Sequence, residues 1–149
     1  MLYILGDVID RHPGGVRILR RIMAADNMKM VLGNHEYMML EALGYSYDSN
    51  GTCACKVNES ALKLWYRNGG KVTHDYLKRL RKSLRAEVIQ YLLEAPLRVD
   101  VEVDRKKYTL VHAAAVEDSA CSTRYETPTQ FAVWNRWHPT NDLPVLGWD

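Results

Sequence analysis

The chain has 149 residues and a mass of 17.2 kDa, enough for one ordinary domain with a buried core. Hydrophobic residues make up 47% and charged ones 26%, which excludes a disordered or low-complexity chain, and a formal charge of +2 is too small to argue for a nucleic-acid or membrane surface. No run approaches the ~18 apolar residues of a membrane span, no signal-peptide pattern opens the chain, and Cys53, Cys55 and Cys121 are an odd number ill suited to a disulfide framework, so a cytoplasmic protein is expected.

Leu2-Tyr3-Ile4-Leu5 is a short apolar run, the mark of a strand buried on both faces, and it stops at Gly6-Asp7-Val8-Ile9-Asp10-Arg11. After Gly14 and Gly15, the residues Val16, Leu19, Ile22 and Met23 recur at helical spacing and predict a helix packed on the sheet. Asn27 breaks it. Met28 to Leu32 form a second strand that stops at Gly33-Asn34-His35-Glu36, and Tyr37 to Leu43 read as a helix started by that turn. Residues 44–57, rich in Gly, Ser, Asn, Asp and Cys, read as a surface excursion.

Helices are predicted at about 59–67, 73–82 and 85–94, with Gly69-Gly70 and Ser83 as the breaks and Pro96 as the stop. The basic run Lys78, Arg79, Arg81, Lys82 and Arg85 reads as the solvated face of an amphipathic helix whose Leu77, Leu80 and Leu84 point inward. Leu97 to Asp104 alternates apolar and charged residues, the pattern of a strand with one buried face. Arg105 and Lys106 turn it back into 107–111, a hairpin that delivers His112 to the sheet edge. Thr127-Pro128-Thr129-Gln130 has a capping hydroxyl, a proline at the first position and a glutamine three residues after the cap; the helix it starts carries Trp134, Asn135 and Arg136 near its end.

Three apolar runs thus end at metal- or phosphate-binding side chains. Ligand sites in layered α/β proteins gather beyond the carboxyl ends of strands, so Asp7, Asn34 and His112 are expected to converge. A carboxylate, an amide oxygen and an imidazole suit manganese, iron or zinc, and the planar fork of Arg11 suits a phosphate. Asp7 and Asp10 could also simply shape a turn, and Arg136, beside two tryptophans, could stack on an aromatic face. Glu36 reads as a helix-start carboxylate favoured by the local dipole. His12, His74 and His138 read as surface residues, and Tyr3, Tyr37, Met38 and Met39 as core.

In their order, Gly6-Asp7-Val8-Ile9-Asp10-Arg11, Gly33-Asn34-His35-Glu36 and His112-Ala113 resemble the central motifs of the calcineurin-like metallophosphoesterase superfamily. The Asp10-Arg11 pair, the Trp65 to Thr73 segment with Asn68-Gly69-Gly70, and Trp134-Asn135-Arg136 look most like bacterial and phage serine/threonine protein phosphatases. The resemblance implies an α/β fold, a layered α-β-β-α sandwich, in a single partial domain over 1–149 with a helical insertion at about 58–95. It implies two neighbouring divalent metal ions, manganese first and iron or zinc next, bridged by Asp7, with Asn34 and His112 as ligands of the second and Asn34 also near the phosphate. His35 then protonates the leaving alkoxide, Asp10 orients its imidazole, and Arg11 and Arg136 clamp the phosphate.

The implied activity is removal of phosphate from serine or threonine of proteins or from small phosphoesters. A hydrolase of dinucleoside polyphosphates shares the same motif skeleton, and a noncatalytic phosphate- or protein-binding module is the competitor from another class. Two family features have no counterpart: an Asp-x-His before the first motif and a late Gly-His pair. The expectation is a fragment that lacks strands at both ends, binds at most one metal weakly, turns over little and associates through exposed sheet edges. His12, where the family usually has glycine, is expected to crowd the phosphate or the turn.

Overall fold

A computed structural model describes residues 1–47, 56–115, 117–118 and 124–136. Strand β1 (Leu2–Ile4) pairs in parallel with β2 (Met28–Met30), Leu2 opposite Met28 and Ile4 opposite Met30, and α1 (Gly15–Met23) makes the crossover between them. Helix α1 buries Val16, Leu19 and Ile22, the stripe that its spacing predicts. The ladder is shorter than the apolar runs because the backbone changes partner. The Val31 amide still bonds the Ile4 carbonyl, but that of Leu32 bonds Pro96, so the chain leaves β1 for the 95–97 segment.

Helix α2 (Asn34–Ala42) starts three residues before the predicted boundary, which places Asn34, His35 and Glu36 in its first turn. Its residues from His35 to Leu40 are all buried, so it is a central helix with no solvent face. Against it pack α3 (Glu59–Arg67) and α5 (Lys82–Leu93), while α4 (Lys71–Arg79) packs on α1, and Leu32, Met39, Leu40, Trp65, Leu77 and Leu92 form the heart of the core. The Asn58 side chain caps α3 by accepting from the Ala61 amide.

Leucine spacing places the basic run on one helix face, but the structure divides it between two helices. Leu80 and Arg81 are extended, so the run straddles the break between α4 and α5, and that break precedes Ser83. Leu80 leaves the helix to pack against the core, while Lys78, Arg79, Arg81 and Lys82 remain exposed.

Strands β3 (Arg98–Val103) and β4 (Lys106–Val111) form an antiparallel hairpin, Arg98 opposite Val111 and Val103 opposite Lys106. The two-residue turn is Asp104-Arg105, one residue earlier than expected, and both adopt the left-handed backbone that tight hairpins require. Among the described residues the hairpin is a sheet of its own, separate from β1–β2. Its apolar face is only partly covered: Val99 and Val101 are half-buried and Val103 is 54% exposed. Between this face and β1 lies an open groove of about 670 Å³ lined by Met1, Tyr3, Val101, Val103, Tyr108 and Leu110. Tyr37, Met38 and Met39 are core residues, whereas Tyr3 lines this groove.

Helix α6 (Pro128–Trp134) is capped by Thr127, whose side chain accepts from the Gln130 amide. It ends at Trp134, so Asn135 and Arg136 follow the helix instead of riding on it. The fold is mixed α/β, with its sheet, among the described residues, confined to these two ladders. No helix among them is long and apolar enough to cross a membrane. The three cysteines and His138 lie outside the described residues.

Candidate functional site

The turn after β1 is built from backbone conformations that most residues avoid. Gly6 has φ 86°, and Asp7, Asp10 and Arg11 have φ 57°, 75° and 58°. Non-glycine residues in this region cost about 1–3 kcal/mol each and persist only where the surroundings over-determine them. Here the surroundings do. Glu36 on α2 accepts three backbone amides, from Asp7 at 2.9 Å, Val8 at 2.8 Å and Ile9 at 3.3 Å. The Thr73 hydroxyl on α4 accepts from the Asp10 amide at 2.9 Å, and the Gly69 carbonyl accepts from the Arg11 amide at 3.1 Å. Gly6 and Gly33 let the two motif turns touch: a Cβ on Gly6 would lie 2.5 Å from the Gly33 Cα and 2.9 Å from the His112 Nδ1.

The three strand-end side chains do converge. His112, delivered by β4, places Nε2 3.0 Å from the Asn34 Oδ1 and 3.6 Å from the Asp7 Oδ1, while its Nδ1 faces the Leu5 carbonyl at the end of β1. With Nδ1–H donated to Leu5, Nε2 presents a lone pair toward two oxygens that also carry only lone pairs. Three acceptors facing one another repel unless a proton or a cation sits among them. A carboxylate, an amide oxygen and an imidazole suit a divalent transition metal, so this donor set fits the expected ion. It is a sparse set. Among the described residues no group of three or more His, Cys, Asp or Glu side chains is placed to hold a metal, and Asn34 supplies the third donor here.

Beside this trio lies a buried imidazole–carboxylate pair. His35 Nδ1–H donates to the Asp10 Oδ2 at 2.7 Å, and His35 Nε2 faces the Arg11 guanidinium at 3.2 Å. The Asp10 bond holds the His35 pKa above its ordinary value against the opposing effect of burial. The indole of Trp65 on α3 donates to the same Asp10 Oδ2 at 2.8 Å. Glu36 is fully buried; desolvation pushes its carboxyl up, and the Asp7 and Val8 amides pull it back.

The predicted residues Asp7, Asp10, Arg11, Asn34, His35 and His112 therefore form one cluster. Arg136 is not brought into it: this exposed residue lines a cleft of about 410 Å³ with Arg124, Tyr125, Gln130 and Trp134. The His12 Nδ1 accepts the Gly14 amide at 3.0 Å, so its ring serves the turn into α1. His74 is half-buried and not a surface residue; it bonds the Tyr66 hydroxyl at 2.7 Å and packs 5.5 Å from the Trp65 ring. Three residues named in the sequence, Glu36, Trp65 and Thr73, take part in the site in ways not expected of them. Glu36 offers a weak signal, a carboxylate directly before the apolar run Tyr37 to Leu40, which demands partners once that turn is buried. Trp65 and Thr73 carry no such signal, since their partner Asp10 lies 55 and 63 residues away.

The family model of calcineurin-like phosphoesterases matches residues 1–144. A serine/threonine-protein phosphatase 2 of Salmonella typhimurium is 29% identical over 119 residues, covering 80% of this chain and 47% of that protein. A symmetrical bis(5'-nucleosyl)-tetraphosphatase of Delftia acidovorans is 50% identical over 42 residues, 28% of this chain and 15% of that enzyme. A class 3 fructose-1,6-bisphosphatase of Clostridium tetani is 32% identical over 75 residues, half of this chain and 10% of that protein. The chain thus spans less than half the length of these curated relatives.

Proposed function

Because the chain belongs to the calcineurin-like phosphoesterase family, we propose that it is a metal-dependent phosphomonoesterase acting on phosphoserine or phosphothreonine in proteins, or on small phosphoesters. The observation that carries this reading is the convergence of Asp7, Asn34 and His112 beside the His35–Asp10 pair.

Asp7, Asn34 and His112 would hold the metal, with manganese the first choice. A bound divalent ion supplies Lewis-acid activation of water and neutralises charge on the phosphate. Arg11, exposed at the rim of the cluster, pairs its N–H groups with phosphate oxygens through the planar fork of its guanidinium. His35 donates its Nε2 proton to the departing alkoxide, and the Asp10 bond, which raises its pKa, favours the protonated imidazole that this step needs. Asp10 accepts the Nδ1–H throughout and stabilises the imidazolium. The turn held by Glu36 and Thr73 keeps Asp7 and Asp10 fixed while charge moves. A role for Arg136 on the phosphate would require its cleft to close over the cluster. A reducing cytoplasmic setting suits the three cysteines, and the apolar groove between β1 and the hairpin supports association through that edge.

Incubation of the chain with p-nitrophenyl phosphate and manganese is the test. Slow, metal-dependent release of p-nitrophenol is expected, and His35→Ala should remove all but about a hundredth of the turnover of a phosphoserine peptide, whose alkoxide leaving group needs a proton. Undiminished turnover in that variant contradicts the acid assignment. The 42-residue match to the tetraphosphatase favours a second reading, cleavage of dinucleoside polyphosphates. Faster hydrolysis of diadenosine tetraphosphate than of a phosphoserine peptide would select it. Binding of phosphate without turnover of any ester would select a noncatalytic module, although such a module has no use for the His35–Asp10 pair.

A further inference from the structure

We propose that Trp65 is a positioning residue for His35, acting through Asp10; the inference rests on the reading of His35 as the leaving-group acid. Asp10 is 5% exposed, and its Oδ2 accepts from both the His35 Nδ1–H at 2.7 Å and the Trp65 Nε1–H at 2.8 Å. Its other oxygen, Oδ1, is buried without a hydrogen-bond partner. A carboxylate in such a place gains most of its stabilisation from the donors on one atom. The indole therefore supplies one of the two side-chain bonds that aim Oδ2 at the imidazole.

The indole is itself locked. Trp65 is fully buried, and a Cβ on Gly70 would fall 2.3 Å from its Nε1, so the ring lies flush against a backbone that tolerates no side chain. The His74 ring packs 5.5 Å away, with its Nδ1 held by the Tyr66 hydroxyl. Neighbours on the α3–α4 unit grip the same turn. The Gly69 carbonyl takes the Arg11 amide and the Thr73 hydroxyl takes the Asp10 amide. One helical unit thus aligns the carboxylate, its backbone and the adjacent arginine. Loss of the indole N–H leaves Asp10 with a single side-chain donor, so the carboxylate drifts and the imidazole follows it.

The test replaces Trp65 in the full chain by Phe and, separately, by 3-benzothienylalanine, which puts sulfur in place of N–H and keeps the bicyclic shape. The isostere decides if Trp65→Phe fails to fold. Without metal, proton–nitrogen NMR follows exchange of the His35 Nδ1–H with water, expected to quicken by about tenfold in both variants. With manganese, turnover of a phosphoserine peptide should fall about tenfold more than that of p-nitrophenyl phosphate, whose leaving group needs little protonation, with KM within about twofold. Unchanged exchange of the His35 proton overturns the proposal. Faster exchange with equal losses on both substrates also overturns it, since the acid then is not what the indole serves. Faster exchange in a chain whose wild type hydrolyses neither ester supports Trp65 as the positioning residue and counts against the phosphoesterase reading alone.

Discussion

Glu36→Gln is the most revealing single change because it preserves volume and alters only charge and hydrogen-bond polarity. The carboxylate accepts Val8 and Ile9 on Oε1 and Asp7 on Oε2. Glutamine has one oxygen, so whichever way it turns, an NH2 group faces at least one backbone N–H at about 2.9 Å. The least costly orientation keeps Val8 and Ile9 and sacrifices Asp7. That loses one charge-assisted bond, about 1.5–3 kcal/mol, and leaves an unsatisfied amide, about 1–3 kcal/mol. Relief of the buried charge offsets part of this, since desolvation already pushes the Glu36 carboxyl up. A net local cost of about 2–4 kcal/mol remains, and at about 1.4 kcal/mol per factor of ten it predicts a 30- to 1000-fold loss of amide-exchange protection at Asp7 to Ile9. Asp7 then leaves its left-handed conformation, and manganese affinity should fall by about tenfold or more, measured by titration calorimetry. Protection at residues 7–9 and manganese affinity both unchanged within about twofold would falsify the reasoning.

Other outcomes follow from neighbouring contacts. His112→Ala removes one donor of a sparse set and should reduce manganese binding in the same titration below detection, with the circular-dichroism spectrum unchanged. Gly70→Ala should lower stability by about 1–3 kcal/mol in urea unfolding, although Gly70 has an ordinary φ of −70°, because the new methyl collides with Trp65. A melting point within a degree or so of wild type would contradict that packing. His74 has its pKa lowered from 6.5 by burial, so the unfolded chain binds a proton more readily than the folded one. Its contribution to stability is therefore complete above about pH 6.5 and is lost as the pH falls through the lower folded value. His74→Phe should flatten the decline in melting temperature on acidification; an unaltered slope would remove His74 as its source.

Elements with a strong periodic pattern were legible in the chain. The α1 stripe, the Thr127 cap of α6 and the alternation of β3 depend on neighbours a few residues apart, and the structure has the helix, the cap and the strand. Boundaries moved where long-range contacts outweighed local pattern. Helix α2 begins at Asn34 because Glu36 is drawn inward to bond the β1 turn. The basic run divides between two helices because Leu80 turns to the core. The half-covered hairpin face shows the limit of alternation, which marks the side able to be buried and says nothing about what covers it.

From residue order alone came the three apolar runs, the chemistry at their ends and the expectation that Asp7, Asn34 and His112 meet, since strand geometry sends such ends to one edge. Tertiary packing settled which other groups hold that edge in place. Glu36 sits 29 residues from the Asp7 amide, Trp65 55 from Asp10, and His112 107 from the Leu5 carbonyl. It also left Arg136 in a cleft of its own. Hydrogen bonds across such separations form only after the helices have packed, and a periodic pattern of near neighbours carries no trace of them.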